Sequence, residues 1–169
     1  MRNSSIHAIF CSRKAKICPT IFPWNAAFGL YILLASRFIS MLTGKILNPH
    51  LLSLLARVRH TNSLVIADRG FPFWAEIETV DISLMDDVPT VVQVLSAIRC
   101  EFHAAAAFMA KEFLEQNTSD VRQAFAQGLE GIPTQYQTHA EFKKSVPKAI
   151  GLIRTGETIQ YANMILVSG

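Results

Sequence analysis

The apolar positions from Asn48 onward predict a helix followed by a buried strand. Asn48-Pro49 is typical of a helix N-cap with proline in the first turn, and apolar residues then recur at helical spacing as far as Val58. Residues 64–67 form a short apolar run rich in β-branched side chains, and the turn formers Gly70-Phe71-Pro72 follow it. Asp68 is therefore expected at the C-terminal end of a buried strand.

Later apolar runs continue this mixture of strands and helices. Residues 102–114 stay ambiguous, because their alanines and Met109 favour a helix whereas the alternation of elements calls for a strand. Further strands are predicted for residues 77–82, 134–138 and 164–167. Further helices are predicted for residues 86–98, 121–129, 140–144 and 149–155. The alternation predicts an α/β protein.

Length and composition indicate one globular domain. The chain has 169 residues, about the usual size of a single domain. Half of its residues are apolar and 17% are charged. A chain of this composition is too hydrophobic to be disordered and has enough apolar side chains for a packed interior.

Positive charge is concentrated in the first 40 residues. Five of the sixteen Lys and Arg residues lie there, with no acid among them. Residues 41–169 hold the other eleven against all thirteen Asp and Glu, a formal charge of −2. No basic stripe interleaved with aromatic residues is found there, so the sequence predicts no nucleic-acid partner.

Residues 1–40 are interpreted as a leader outside the domain, which we place at residues 41–169. The apolar part at 26–35 is nearer in length to a secretory signal than to the roughly 20 residues of a membrane span. We favour a cytoplasmic protein without a membrane partner, and an exported or membrane-anchored protein is the alternative. Cys100 is the one cysteine of residues 41–169, which excludes an intradomain disulfide and suits a reducing compartment.

Polar clusters at the junctions of predicted elements carry the candidate chemistry. Arg59-His60-Thr61-Asn62 precedes the strand predicted at residues 64–67, and Tyr161-Ala162-Asn163 opens the closing strand. His139 stands at another junction. Binding and catalytic residues often lie at such places, but a single loop histidine is more often solvated or a capping residue. The prediction therefore depends on the clusters occurring together.

Several separated sequence blocks occur in order along residues 41–169. They are His60-Thr61 with residues 64–68, Val88-Pro89 with Gln93, Thr138-His139 with Phe142-Lys143, and Arg154-Thr155-Gly156-Glu157 leading to Tyr161-Ala162-Asn163. Together these blocks resemble the D-ribose pyranase family, the ribose and fucose mutarotases. They resemble its ribose branch more than its fucose branch, and residues 1–40 match nothing in it.

The resemblance implies a single three-layer α/β/α domain with a mixed, mostly parallel central sheet. It also implies an isomerase that needs no cofactor and interconverts the pyranose and furanose forms of a free monosaccharide, D-ribose. An L-fucose mutarotase and a non-catalytic monosaccharide-binding or transport-associated protein are the alternatives. By motif match, His60 would be the catalytic acid/base. The residues that would bind the sugar are Asp68, His139, Tyr161, Ala162 and Asn163, with Lys143 and Gln93 as second-rank candidates.

The chemistry of ring opening suits these residue types. A cyclic hemiacetal opens when a proton leaves the anomeric hydroxyl and another reaches the ring oxygen, and histidine performs either transfer near neutral pH. Hydrogen-bonding side chains then need only hold the hydroxyls in place. The sequence has no paired cysteine spacing and no His-x-x-x-His pair, so we expect no metal site.

The positions of His60 and Asp68 bear on how the site is assembled. Four extended residues between their loops span about 13 Å, so the two side chains are not expected to touch within one strand. The resemblance implies a homo-oligomeric ring, of pentamer or decamer type, with sites between protomers. A neighbouring subunit would then complete each site. Arg59, Arg69 and Trp74 depart from the usual family residues, which leaves the choice of sugar open.

Overall fold

The computed structural model describes residues 44–169, so the predictions made for residues 1–40 lie outside the described residues. The helices are α1 (Pro49–Arg57), α2 (Val91–Ile98), α3 (Lys111–Gln116), α4 (Ser119–Gly128) and α5 (His139–Ser145), which continues into a 3₁₀ turn (Val146–Lys148). The strands are β1 (Ser63–Ala67), β2 (Glu78–Asp81), β3 (Ala104–Ala110), β4 (Thr134–Gln137), β5 (Gly151–Arg154) and β6 (Met164–Ser168).

The strands form one six-stranded sheet in the order β2-β5-β1-β6-β3-β4. The pairs β1/β5, β2/β5 and β3/β4 are parallel. Strand β6 runs antiparallel to both of its neighbours, β1 and β3. The expected mixed, mostly parallel central sheet is therefore confirmed.

Alternating side chains of the central strand β1 enter two separate cores. Leu64 and Ile66 pack on one face with residues of α1, α2, α3 and α4. Val65 and Ala67 pack on the other face with Phe142 of α5. Successive side chains of a strand point to opposite faces, so a strand buried on both faces needs a continuous apolar run. The structure thus has the predicted three-layer α/β/α arrangement.

The helix predicted for residues 149–155 is wrong, because this segment forms strand β5. Gly151, Leu152 and Ile153 are buried, and the strand pairs with β1 on one side and β2 on the other. A Cβ atom at position 151 would lie 2.6 Å from Cδ1 of Leu54. Glycine therefore lets α1 pack directly over the strand, a contact that helical spacing does not reveal.

Two other segments differ from simple pattern reading. The ambiguous residues 102–114 divide into β3 and α3, and Ala107 and Met109 of the strand are fully buried between β6 and β4. Helix α2 begins at Val91 rather than at residue 86, because Thr90 caps it and residues 85–88 form a separate turn. Tertiary packing outweighs helix propensity in β3, whereas the start of α2 is set by its local cap.

No helix within residues 44–169 is both long and apolar enough to span a bilayer.

Candidate functional site

A pocket of ≈ 320 Å³ opens at one edge of the central sheet. Strand β6 runs antiparallel to β1, so its first residue, Met164, lies beside Ile66 near the C-terminal end of β1. The parallel pair β3/β4 brings the start of α5 to the same edge. The pocket is lined by residues of these three regions, among them Asp68, His139, Lys143, Glu157, Tyr161 and Asn163.

Asp68 and Asn163 hold each other in position on the floor of this pocket. The main-chain N–H of Asp68 donates to Oδ1 of Asn163 at 2.8 Å, and Nδ2 of Asn163 donates to Oδ2 of Asp68 at 2.7 Å. The N–H of Gly70 donates to Oδ1 of Asp68 at 2.9 Å. These two hydrogen bonds hold the carboxylate, and its remaining lone pairs can accept hydrogen bonds from a ligand.

His139 and Tyr161 form an aromatic wall of the pocket. Their rings meet edge to face, with centroids 5.1 Å apart. His139 is the first residue of α5, and its main-chain N–H donates to both carboxylate oxygens of Glu112 at 3.0 Å. Its Nδ1 atom is buried and finds no hydrogen-bond partner within residues 44–169. The ring is therefore held by its backbone and by stacking, with one nitrogen unused.

The pKa of His139 lies below its ordinary value of 6.5, chiefly because burial disfavours the charged imidazolium. The positive charge of Lys143 lowers the pKa further, while the negative charges of Glu112 and Asp68 oppose the shift. His139 is therefore neutral at pH 7, and a neutral imidazole has one nitrogen that donates and one that accepts a hydrogen bond. Both functions suit a sugar hydroxyl.

Glu157 shapes the loop that carries Tyr161. Its side chain is buried, with one carboxylate oxygen accepting the N–H groups of Thr158 and Ile159 and the other accepting that of Val91. The loop then turns through Tyr161, whose φ of 57° lies in the left-handed region that non-glycine residues seldom adopt. Ala162, also predicted to contact the sugar, follows; it is fully buried and does not line the pocket.

His60 lies away from this pocket. It is exposed in the turn that precedes β1, where the N–H of Asn62 donates to the carbonyl of Arg59 and that of Thr61 to the carbonyl of Ser168. The five residues of β1 separate this turn from Asp68 by about 16 Å. Within one subunit the structure therefore brings together Asp68, His139, Tyr161 and Asn163, and leaves His60 at the opposite end of the strand.

The two second-rank candidates have different positions. Lys143 lines the pocket one helical turn after His139. Gln93 does not line it, because its side chain accepts from the N–H of Thr90 in the capping box of α2. A glutamine three residues after a threonine is the usual sign of such a box, and this signal was available in the sequence.

Glu157 and Arg69 line the pocket but were not predicted to be site residues. Glu157 occurs within the quoted block before Tyr161, but nothing in the block revealed that its carboxylate is buried. Arg69 lies at the pocket rim and pairs with Asp86 in the turn of residues 85–88. Within residues 44–169, no group of three or more His, Cys, Asp or Glu side chains is arranged to hold a metal ion.

Comparison with known sequences gives a match to one family over the whole described region. Residues 41–169 match the RbsD / FucU transport protein family. A D-ribose pyranase of Geobacillus kaustophilus is 40% identical over 124 residues, which cover 73% of this chain and 90% of that protein. A D-ribose pyranase of Escherichia coli is 32% identical over 137 residues, which cover 76% of this chain and 98% of that protein.

Comparison with solved structures gives the same fold. The structure of Bacillus subtilis RbsD complexed with D-ribose matches with a TM-score of 0.69 at 31% identity, covering 73% of this chain and 94% of that one. A fucose mutarotase of Streptococcus pneumoniae, in complex with L-fucose, matches with a TM-score of 0.62 at 22% identity, covering 72% and 92%. The chain therefore belongs to the RbsD / FucU family.

Proposed function

We propose that the protein is an isomerase of the D-ribose pyranase type, which interconverts the pyranose and furanose forms of D-ribose. The observation that carries this proposal is the pocket that gathers Asp68, His139, Tyr161 and Asn163 at one sheet edge. Relatives named D-ribose pyranase are 32–40% identical to this chain and are covered over 90% or more of their length. A pocket lined by hydrogen-bonding side chains in a chain with such relatives supports the same reaction.

The pocket suits a small polyhydroxylated ring. The Asp68 carboxylate, held by Asn163 and Gly70, would accept hydrogen bonds from sugar hydroxyls. Neutral His139 and the hydroxyl of Tyr161 would each both donate and accept a hydrogen bond. Such fixed partners orient the ring so that proton transfer meets the correct oxygens.

His60 is the proposed acid/base, and we place it in the site of a neighbouring subunit. Ring opening requires proton removal from the anomeric hydroxyl and proton delivery to the ring oxygen, which an imidazole performs near neutral pH. His60 is exposed, and about 16 Å of strand separates its turn from Asp68 of the same subunit. A homo-oligomeric ring, in which each subunit offers its His60 to the next pocket, supplies the missing group.

D-ribose is preferred over L-fucose as the proposed substrate. The solved relative complexed with D-ribose is 31% identical to this chain, whereas the relative complexed with L-fucose is 22% identical.

The cytoplasm is the proposed location, supported by the presence of a single cysteine, Cys100, in residues 41–169.

The test is saturation-transfer NMR of the exchange between ring forms of D-ribose and of L-fucose. Wild type, His60→Ala and His50→Ala are compared, because His50 is also exposed but lies on α1 and does not line the pocket. We expect faster exchange on ribose with wild type and His50→Ala, and none above background with His60→Ala. A folded protein that binds ribose without accelerating exchange would instead be a binding protein.

A further inference from the structure

Helix α3 connects the two residues of the aromatic wall, His139 and Tyr161, although they are 22 positions apart in the chain and α3 precedes both. We propose that α3 is a brace that sets the distance between these rings, and that Glu112 and Asn117 are positioning residues for the sugar site. The proposal deepens the proposed function, since it rests on His139 and Tyr161 being sugar contacts.

The first end of the brace is Glu112. Both of its carboxylate oxygens accept the main-chain N–H of His139, each at 3.0 Å, across 27 positions of sequence. His139 begins α5, so this N–H has no partner within its own helix. A charged acceptor makes a hydrogen bond about twice as strong as a neutral one. Glu112 therefore fixes the point at which the His139 backbone enters the pocket wall.

The second end of the brace is Asn117, the C-cap residue of α3. Its Nδ2 donates to the carbonyl of Phe113 and to that of Gln160, both at 2.9 Å. The first contact ties the side chain to its own helix, and the second holds the residue directly before Tyr161. Because Tyr161 has a positive φ, its ring direction depends on how the preceding residue is held.

The helix between these two ends is itself fixed to the core. It follows β3 directly, and Met109 of that strand pairs with Met164, next to Asn163. Phe113 is 1% exposed and packs against Phe125 of α4, with ring centroids 4.7 Å apart. A six-residue helix anchored in this way keeps a fixed position relative to the sheet. It therefore also fixes the positions of the His139 and Tyr161 rings relative to the sheet.

The charges around His139 provide a readout that a purely structural role would not change. Its imidazole is faced by Lys143 of α5, Glu112 of α3 and Asp68 at the end of β1, with Tyr161 against the ring edge. The Glu112 charge raises the pKa of His139 against the larger effect of burial. Replacing this carboxylate by a neutral amide of the same shape should therefore lower the pKa of His139 further.

The experiment compares three variants of the brace with two controls on the same helix. The brace variants are Glu112→Gln, Glu112→Ala and Asn117→Ala. The controls, Glu115→Gln and Gln116→Ala, change exposed side chains of α3. Imidazole titration by ¹H–¹⁵N NMR, in full-length protein without sugar, reports the pKa of His139, and ribose exchange gives KM and kcat for each protein.

We expect Glu112→Gln to lower the pKa of His139, and both Glu112→Ala and Asn117→Ala to raise the KM for ribose by about 3- to 10-fold with a smaller change in kcat. Glu115→Gln and Gln116→Ala should match wild type in both measurements. If Glu112→Ala fails to fold, the isosteric Glu112→Gln and the Asn117 variant still decide the question.

Two results would overturn the proposal that Glu112 and Asn117 position the sugar site. One is an unchanged His139 titration in Glu112→Gln together with a wild-type KM in Asn117→Ala. The other is an equal His139 shift in Glu115→Gln, which would assign the effect to helix charge in general. The failure of the proposed function is distinguishable from the failure of this inference. Wild-type protein that does not accelerate ribose exchange would reject the proposed function. The His139 titration does not depend on turnover, so it would still decide whether Glu112 acts on His139.

Discussion

Asp68 and Asn163 exchange two hydrogen bonds, so a change in one releases the other. Asn163 is 2% exposed, and its loss would leave the main-chain N–H of Asp68 without an acceptor. An unsatisfied group of this kind costs about 1–3 kcal/mol. The pair therefore contributes to folding and to the proposed sugar contact at once, and the two effects need separate measurements.

For Asn163→Ala we expect the free energy of unfolding to fall by about 1–3 kcal/mol, and the ribose KM to rise, because the Asp68 carboxylate is no longer held. Urea unfolding and ribose exchange measure the two effects. Gln135→Ala, an exposed change on β4, is the control and should alter neither. A variant with wild-type stability would show that another group accepts the Asp68 N–H.

His139 predicts a pH dependence of stability whose sign follows from its lowered pKa. The folded state favours the neutral imidazole, so the unfolded chain binds more protons once the pH falls below the ordinary value of 6.5. This histidine then stabilises the fold fully above that pH and progressively less below it. Glu112 also has a lowered pKa, owing to the N–H of His139, and its contribution is lost only below about the ordinary value of 4.5.

The free energy of unfolding of wild type minus that of His139→Gln should therefore decrease as the pH falls from 7.5 to 5.5. The sign of this change follows from the lowered pKa of His139, because the unfolded chain takes up the proton more readily than the folded one. Urea titrations of both proteins at several pH values give this difference and cancel the other titrating groups. A difference that grows as the pH falls would mean that the folded state prefers the imidazolium.

Sequence reasoning identified the residues that carry recognisable chemistry and missed those that act through the backbone. Asp68, His139, Tyr161 and Asn163 stood at element junctions, and the structure gathers them in one pocket. Glu112 is one of two glutamates in α3, and only the tertiary packing of α3 against α5 distinguishes it from Glu115. A side chain that binds a distant main-chain N–H leaves no periodic signal in the sequence.

At the scale of elements, glycine was the residue most easily misread. Gly156 directly follows residues 149–155, for which a helix was predicted, whereas the segment before it is strand β5. The actual reason for glycine is close approach of two backbones, because a Cβ atom there would lie 2.2 Å from the carbonyl oxygen of Met85 and 2.6 Å from that of Val88. A glycine is compatible with both a helical and a strand pattern, so only the tertiary packing shows why glycine is needed at position 156.

Gly156→Ala should accordingly destabilise the fold by about 1–3 kcal/mol or more, because the backbone atoms of Met85 and Val88 must move. The displaced segment includes Glu157, so ribose binding should weaken as well. Thermal and urea unfolding measure the first effect. Gly70→Ala is the matched control for stability, since the nearest atom to its added Cβ is 3.6 Å away in ordinary contact. Equal stability of the two variants would contradict the steric argument.

At the scale of the whole molecule, the sequence predicted an α/β sheet and the separation of His60 from Asp68. The alternation of predicted helices and strands gave the first, and the length of the extended run of β1, which has His60 before it and Asp68 after it, gave the second. The strand order β2-β5-β1-β6-β3-β4 did not follow from the pattern, because β6 is the last strand in the sequence and yet lies in the middle of the sheet, between β1 and β3. Such long-range pairing is decided by the packing of both cores.

The separation of His60 from Asp68 makes the proposed homo-oligomeric ring testable by mixing two variant subunits that are each inactive. His60→Ala keeps an intact pocket, and Asp68→Asn keeps an intact His60 at the other end of β1. If each site takes Asp68 from one subunit and His60 from the next, random co-assembly in equal amounts restores about one quarter of the sites. Ribose exchange by co-expressed protein, with native mass spectrometry to verify mixed oligomers, measures the recovery.

The control replaces the second partner by the double variant His60→Ala/Asp68→Asn. Mixed with His60→Ala, it offers no subunit with an intact His60, so exchange should stay at background. If mixed oligomers form between the two single variants and exchange still does not recover, His60 and Asp68 must act within one subunit. The chain before β1 would then have to bring His60 across about 16 Å to the pocket, a rearrangement that would break the hydrogen bond from Thr61 to Ser168.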